Sequence, residues 1–160
     1  MGVVIGIDVG GSTTKIVGVE NKTIKSPMFV KATDPVTSLF GAFGKYIYDN
    51  GITLPEIEMV MLTGVGSAFI DQLAFTAQPL YGLPTAKTDE FLANGLGAQY
   101  AASLERLIVV SMGTGTSFVK VDGQHIQHIG GIGVGGGTLL GLSRLLLKTQ
   151  DIHQISDMAL

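Results

Sequence analysis

Two short segments carry the residue types that hold polyphosphates. Gly6-Ile7-Asp8-Val9-Gly10-Gly11-Ser12-Thr13-Thr14-Lys15 and Val110-Ser111-Met112-Gly113-Thr114-Gly115-Thr116-Ser117 have the same order of features. Each runs from an apolar strand through a small-residue turn into a β-branched strand. A concave turn points backbone N–H groups at an anion, and glycine lets the backbone come close. Gly10, Gly11, Ser12 and Thr13 are candidates in the first turn; Gly113, Thr114, Gly115 and Thr116 are candidates in the second. The hydroxyls add donors. Asp8 would repel a bare phosphate. It makes sense at the end of its strand if it holds Mg²⁺ through water, with the ion bridging the phosphates. Lys15 either pairs with Asp8 or reaches a phosphate oxygen. One such turn reads equally well as a tight hairpin. Two related ones point to a duplicated half-domain gripping one polyphosphate from both sides. No Walker A loop is present.

Gly131-Ile132-Gly133-Val134-Gly135-Gly136 matches G-x-G-x-x-G and precedes a helix. The strand before it is the return arm of a hairpin, hence antiparallel, whereas the dinucleotide fingerprint follows the first strand of a parallel βαβ unit. A glycine-lined helix N-terminus near the phosphates or the sugar is the better reading of Gly135, Gly136 and Gly137. Glu90 opens a helix beside Asp89. It is placed either to accept a proton from an attacking hydroxyl or simply to suit the helix dipole. His125 and His128 are three apart on a strand, so they point to opposite faces and cannot share one metal ion. His153 is remote.

These residues need elements to position them, and the composition supplies a core to build from. Of 160 residues, 46% are hydrophobic and 14% charged, which fits a buried α/β core rather than disorder. The 23 glycines cluster at strand ends without a fixed period. Net charge is −3 with no basic stripe, so no nucleic-acid partner is expected. No cysteine occurs, which removes thiolate chemistry. No apolar run reaches membrane-spanning length, and a cytoplasmic protein is the expectation.

Val3–Ile7 reads as a strand buried on both faces. Lys15–Glu20 and Thr23–Val30 form a hairpin about Asn21-Lys22. Asp34-Pro35 starts a helix that Asn50-Gly51 ends. Ile57–Thr63 is a strand stopped by Gly64-Val65-Gly66-Ser67. Ala68–Ala74 reads as helical, Pro79–Pro84 as extended and Asp89–Leu104 as helical, with Gly95 and Gly97 allowing another backbone close. The pattern then restarts: strand Leu107–Ser111, strands Ser117–Val121 and Gln124–Ile129 about Asp122-Gly123, and helix Thr138–Lys148. The restart yields only three strands, which leaves a sheet edge open and an apolar face poorly covered. A fragment, or a chain that needs a partner to complete its second lobe, is expected.

The motifs resemble the sugar kinase/Hsp70/actin ATPase superfamily. Asp8 to Lys15 is similar to its first phosphate motif, and Gly113 to Ser117 to its second. Within it the chain resembles the type II pantothenate kinases, through Gly113-Thr114-Gly115-Thr116-Ser117, Asp122-Gly123-Gln124, Gly130-Gly131-Ile132-Gly133, Gly135-Gly136-Gly137 and Asp157-Met158-Ala159. That run spans Met112–Ala159. Asp8 to Lys15, Leu62-Thr63-Gly64 and Gly95-Leu96-Gly97 match more loosely.

The resemblance implies an α/β, ribonuclease H-like (actin-like ATPase) fold of duplicated lobes. Residues 1–104 would form the first lobe and 105–160 the start of an incomplete second one. It implies ATP and Mg²⁺ as cofactors, and ATP-dependent phosphorylation of pantothenate's hydroxyl, the first step towards coenzyme A. The family's glutamate base matches Glu90 with a gap; strict ungapped spacing puts Thr88 there. The family arginine before the first glycine pair is here His128, which with Ser117 would contact the substrate. The family's adenosine-binding C-terminal portion has no counterpart here. A homodimer is expected of the full-length protein. Two alternatives stand: a kinase for another small hydroxylated substrate, or a nucleotide-binding sensor or activator like the dehydratase activators. Those activators bind an iron–sulfur cluster through cysteines.

Overall fold

The computed structural model describes residues 2–31, 34–68 and 80–160. They form two compact units, Met1–Glu90 and Phe91–Leu160.

In the first unit, strand β1 (Val3–Val9) pairs antiparallel with β2 (Thr13–Glu20) and parallel with β5 (Ile57–Thr63). Two short strands, β3 (Thr23–Ile24) and β4 (Met28–Lys31), lie along the outer edge of β2. The sequence suggests one continuous strand here. It is broken at Lys25-Ser26-Pro27, where proline has no N–H for the ladder. The Asn21-Lys22 turn is as expected, with φ of 50° and 64° at its two residues. Strand β6 (Thr85–Lys87) adds in parallel beside β5.

Helix α1 (Pro35–Asn50) starts and stops where its sequence signals say. Asp34 accepts from Thr37 N–H at 2.7 Å, Pro35 occupies the first turn, and Gly51 closes the helix at φ 64°. Leu39, Ala42, Phe43 and Tyr46 recur at helical spacing and are fully buried. They pack on Val3, Ile5, Ile7 and Val9, the alternate residues of β1. Gly18 leaves room for the Tyr46 hydroxyl, which accepts from Gly18 N–H at 2.6 Å.

Only this face of β1 is sealed. Val4, Gly6 and Asp8 on the other face are partly exposed, so β1 is not buried on both faces as its apolar run suggests. The expected helix Ala68–Ala74 lies, apart from Ala68, outside the described residues. The expected extended run Pro79–Pro84 is instead a turn over residues 80–84, with φ of 52° at Tyr81 and 82° at Gly82. The strand begins only after Pro84.

The second unit opens with helix α2 (Glu90–Ala102), whose first residue closes the first unit. Strands β7 (Arg106–Met112), β8 (Thr116–Asp122) and β9 (His125–Ile132) follow as an antiparallel meander. Then come α3 (Gly136–Leu146) and the short α4 (Ile152–Asp157). The hairpin turn is Gly123-Gln124, one residue later than Asp122-Gly123. Asp122 pairs with His125, and Gly123 takes φ 61° as the first central residue.

Residues Phe91, Gly95 and Gln99, four apart on α2, run along this hairpin. The Phe91 ring stacks on His128, Gly95 faces Ile126, and Gln99 Nε2 donates to the Gly123 carbonyl at 3.0 Å. These contacts place α2 with the second unit, and the compact units part between Glu90 and Phe91. Gly95 admits the Ile126 side chain, not another backbone, and a Cβ on Gly97 would meet nothing among the described residues. Strand β7 is an edge of its three-stranded sheet, and Ile108, Val110 and Met112 on it are exposed, as the count of three strands predicts.

Candidate functional site

Asp8 sits second from the end of β1, directly opposite Lys15 on β2. Antiparallel pairing puts their side chains on one face, and Lys15 Nζ donates to Asp8 Oδ2 at 2.7 Å. The other oxygen, Oδ1, is buried and has no hydrogen-bond partner among the described residues. Gly64 follows β5 at φ 87°, and its backbone passes so close that a Cβ there would collide with Asp8 Oδ1 and the Val9 carbonyl. A glycine is required at that position on both counts.

The turn from β1 to β2 is closed by Gly10 N–H donating to the Thr13 carbonyl at 3.0 Å. Gly11 and Ser12 form its exposed tip, and the Ser12 and Thr13 hydroxyls lie 3.4 Å apart. A side chain on Gly10 would press on the Thr13 carbonyl, while one on Gly11 would meet nothing among the described residues. Gly10 therefore serves the turn's own geometry, and Gly11 offers unobstructed backbone.

Glu90, half-buried at the start of α2, belongs electrostatically to the same place. Burial raises its carboxyl above the ordinary value. Repulsion from the Asp8 carboxylate, and more weakly from Asp89, raises it further, and Lys15 opposes them. The first unit therefore brings Asp8, Lys15 and Glu90 within electrostatic reach of one another. Thr88, the ungapped alternative, also lies in this unit, with its N–H on the Leu62 carbonyl at 2.9 Å.

The second unit's turn is built differently. Gly113 N–H donates to the Gly115 carbonyl at 2.8 Å, and the start of α3 closes onto it. Gly136 N–H reaches the Gly113 carbonyl at 2.8 Å, and Gly137 N–H the Thr114 carbonyl at 3.0 Å. A Cβ on Gly135 would sit 2.8 Å from the Gly115 backbone, and one on Gly137 2.9 Å from the Thr114 carbonyl. These glycines let two backbone segments touch. The N–H groups of Gly136 and Gly137 hold the Gly113–Thr116 turn in shape instead of pointing outward as anion donors. Thr116 Oγ1 donates to the Val134 carbonyl at 2.8 Å, adding a further tie.

Ser117 is half-buried on β8, paired with Ser111 and Gly131. His128 lies opposite Val119, next to a β-bulge at Ile129-Gly130 where Gly130 takes φ 147°. Its ring lies parallel to Phe91, with centroids 3.9 Å apart and planes 8° apart. His128 thus presents a stacked aromatic plate where the family resemblance has a guanidinium fork. The run Gly131-Ile132 lies inside β9, antiparallel to β8, which is not the context of a dinucleotide fingerprint.

Two residues that the motif reading left without a role belong beside Asp8. Thr63 is its register partner on β5 and has a buried hydroxyl without a partner among the described residues. Gly64 wraps past it. The signal was present in the sequence: an apolar strand that ends in Thr63 and stops at Gly64.

The chain matches known proteins over this whole arrangement. The Fumble family model matches residues 102–160. The type II pantothenate kinase of Staphylococcus aureus (strain USA300) is 32% identical over 97% of this chain and 53% of that protein. The chain thus spans about half the length of the curated relatives it matches. Among solved structures, component A of the (R)-2-hydroxyglutaryl-CoA dehydratase of Acidaminococcus fermentans superposes with TM-score 0.70 at 16% identity. That match covers 99% of this chain and 57% of that one. The activator of the 2-hydroxyisocaproyl-CoA dehydratase of Clostridium difficile, with bound ADPNP, gives TM-score 0.63 at 14% identity over 92% and 53%. The chain is similar to the N-terminal half of the type II pantothenate kinases, and its mixed α/β fold is that of its actin-like ATPase structural neighbours.

Proposed function

We propose that this chain carries the phosphate-binding, base-bearing half of an ATP-dependent kinase that phosphorylates pantothenate to 4′-phosphopantothenate. The observation that carries the reading is the Asp8 site. One carboxylate oxygen is held by Lys15, the other is buried and awaits a donor, and Glu90 close by is raised in pKa by burial and by Asp8.

An orphaned, buried carboxylate oxygen suits a water of a Mg²⁺ hydration shell, so Asp8 would hold the ion that accompanies ATP. When bound, Mg²⁺ neutralises charge on the phosphate oxygens. Gly11, Ser12 and Thr13 contribute the first phosphate turn. Gly113 to Thr116 contribute the second, kept rigid by Gly135 to Gly137. Lys15 fixes the Asp8 rotamer and adds positive charge. Glu90 accepts the proton of the acceptor hydroxyl as that oxygen takes the γ-phosphoryl group and ADP leaves. A carboxylate raised towards neutrality is a stronger base than an ordinary one. Ser117 and the His128 plate would contact the acceptor. No helix among the described residues is long and apolar enough to cross a membrane, and a cytoplasmic setting forms part of this reading.

The experiment is incubation of the protein with ATP, Mg²⁺ and pantothenate, followed by mass spectrometry. Phosphopantothenate and ADP in equal amounts are expected. No phosphopantothenate at saturating pantothenate, with MgATP binding intact, would remove the substrate assignment and favour a nucleotide-binding sensor.

A further inference from the structure

Asp8 Oδ1, Thr14 Oγ1 and Thr63 Oγ1 are buried without a hydrogen-bond partner among the described residues. Thr14 pairs with Val9 on the sealed face and belongs to the core. Thr63 is placed differently. It is the parallel register partner of Asp8, and matched residues of neighbouring strands share a face. Since Ile7 and its partner Leu62 point into the core, Asp8 and Thr63 share the opposite face.

The chemistry of the two orphans is complementary to one particular guest. An ionised carboxylate only accepts, and Asp8 Oδ2 is already engaged by Lys15. Asp8 Oδ1 and the Thr63 hydroxyl are not bonded to each other. Whatever satisfies Oδ1 must donate. A water whose lone pair lies on a cation donates both of its hydrogens, and it needs two acceptors on one face. Asp8 Oδ1 and Thr63 Oγ1 are two such acceptors.

We infer that Thr63 is a second anchor of the metal–nucleotide site, its hydroxyl accepting from the same metal-bound water as Asp8 Oδ1. The inference rests on the proposed reading of Asp8 as the Mg²⁺ residue. Gly64 supports it, because the chain turns tightly around Asp8 immediately after Thr63 and holds that hydroxyl in place. Outer-shell partners of this kind are worth about 10-fold to 100-fold in metal affinity.

The test is calorimetric titration of ATP into the protein, once with Mg²⁺ and once with EDTA, so the readout is binding rather than turnover. The parent should bind ATP more tightly with Mg²⁺. Thr63→Val keeps the shape and removes the hydroxyl. It should lose about tenfold of the MgATP affinity and leave metal-free ATP unchanged. Thr63→Ser should restore the Mg²⁺ enhancement. Full Mg²⁺ enhancement in a folded Thr63→Val variant, or equal losses with and without the metal, overturns the inference. If Thr63→Val does not fold, the same comparison is made on Thr63→Ala, read as the ratio of affinities with and without Mg²⁺. A parent that binds no ATP overturns the proposed function and this inference together. A parent that binds ATP with no Mg²⁺ enhancement overturns the inference and leaves a nucleotide site standing.

Discussion

Lys15 Nζ lies 2.7 Å from Asp8 Oδ2, across the rung of the β1–β2 hairpin on which the two residues face each other. The pair is fixed by register, so it is set as soon as the hairpin forms. The Lys15 side chain is 51% exposed and that of Asp8 22%, so solvent screens the attraction and it adds little to stability. Its value lies in orientation: one oxygen of Asp8 is tied down, and the other is aimed at the site.

Asp8→Asn should therefore separate binding from folding. The amide keeps the shape but removes the charge. MgATP affinity should fall about tenfold or more, with the thermal midpoint nearly unchanged. Calorimetry and a thermal melt on the same sample check both. A large drop in the midpoint with intact MgATP affinity would assign Asp8 a structural role.

The ionisation of Glu90 gives a second prediction, with a definite sign. Burial and Asp8 raise its carboxyl in the folded state, so the folded protein holds that proton more tightly than the unfolded chain. The ionised side chain therefore costs stability, progressively as pH rises from the ordinary carboxyl range through the raised value. Glu90→Gln should melt higher than the parent at pH 7, and the difference should vanish below about pH 4, where both forms are neutral. NMR titration of the Glu90 carboxyl adds a check on cause. Asp8→Asn should lower its pKa, and Lys15→Met should raise it further.

The glycine contacts of the second unit predict a pair of unlike alanine substitutions. Gly135→Ala forces a Cβ to 2.8 Å from the Gly115 backbone, whereas Gly133→Ala meets nothing within 4 Å. The first should cost about 1–3 kcal/mol, the usual price of overpacking. The second should be nearly neutral. Urea unfolding of both variants measures the difference, and equal losses would contradict the close contact.

Much of this was legible in the sequence. Asp34, Pro35 and Gly51 mark the ends of α1 because capping chemistry is local. The Asp8–Lys15 pair follows from a four-residue turn joining two strands of opposite direction. What the sequence hid was non-local. Thr63 lies beside Asp8 only through the parallel β1–β5 register, which periodicity does not reveal. Gly136 and Gly137 read as anion donors until their N–H groups are seen on the Gly113 and Thr114 carbonyls. Gly95 reads as a place for a backbone, and a distant strand puts the Ile126 side chain there instead. The turn at Tyr81-Gly82 was obscured by flanking prolines that suggest extension.

The central claim is phosphoryl transfer with Glu90 as base, and Glu90→Gln tests it most directly. Phosphopantothenate formation and MgATP affinity should be measured together on the parent and this variant. The account predicts that turnover falls by about 10²-fold to 10⁴-fold, the usual contribution of a general base, while MgATP affinity is unchanged. Turnover equal to the parent's, or a loss confined to nucleotide binding, would contradict it.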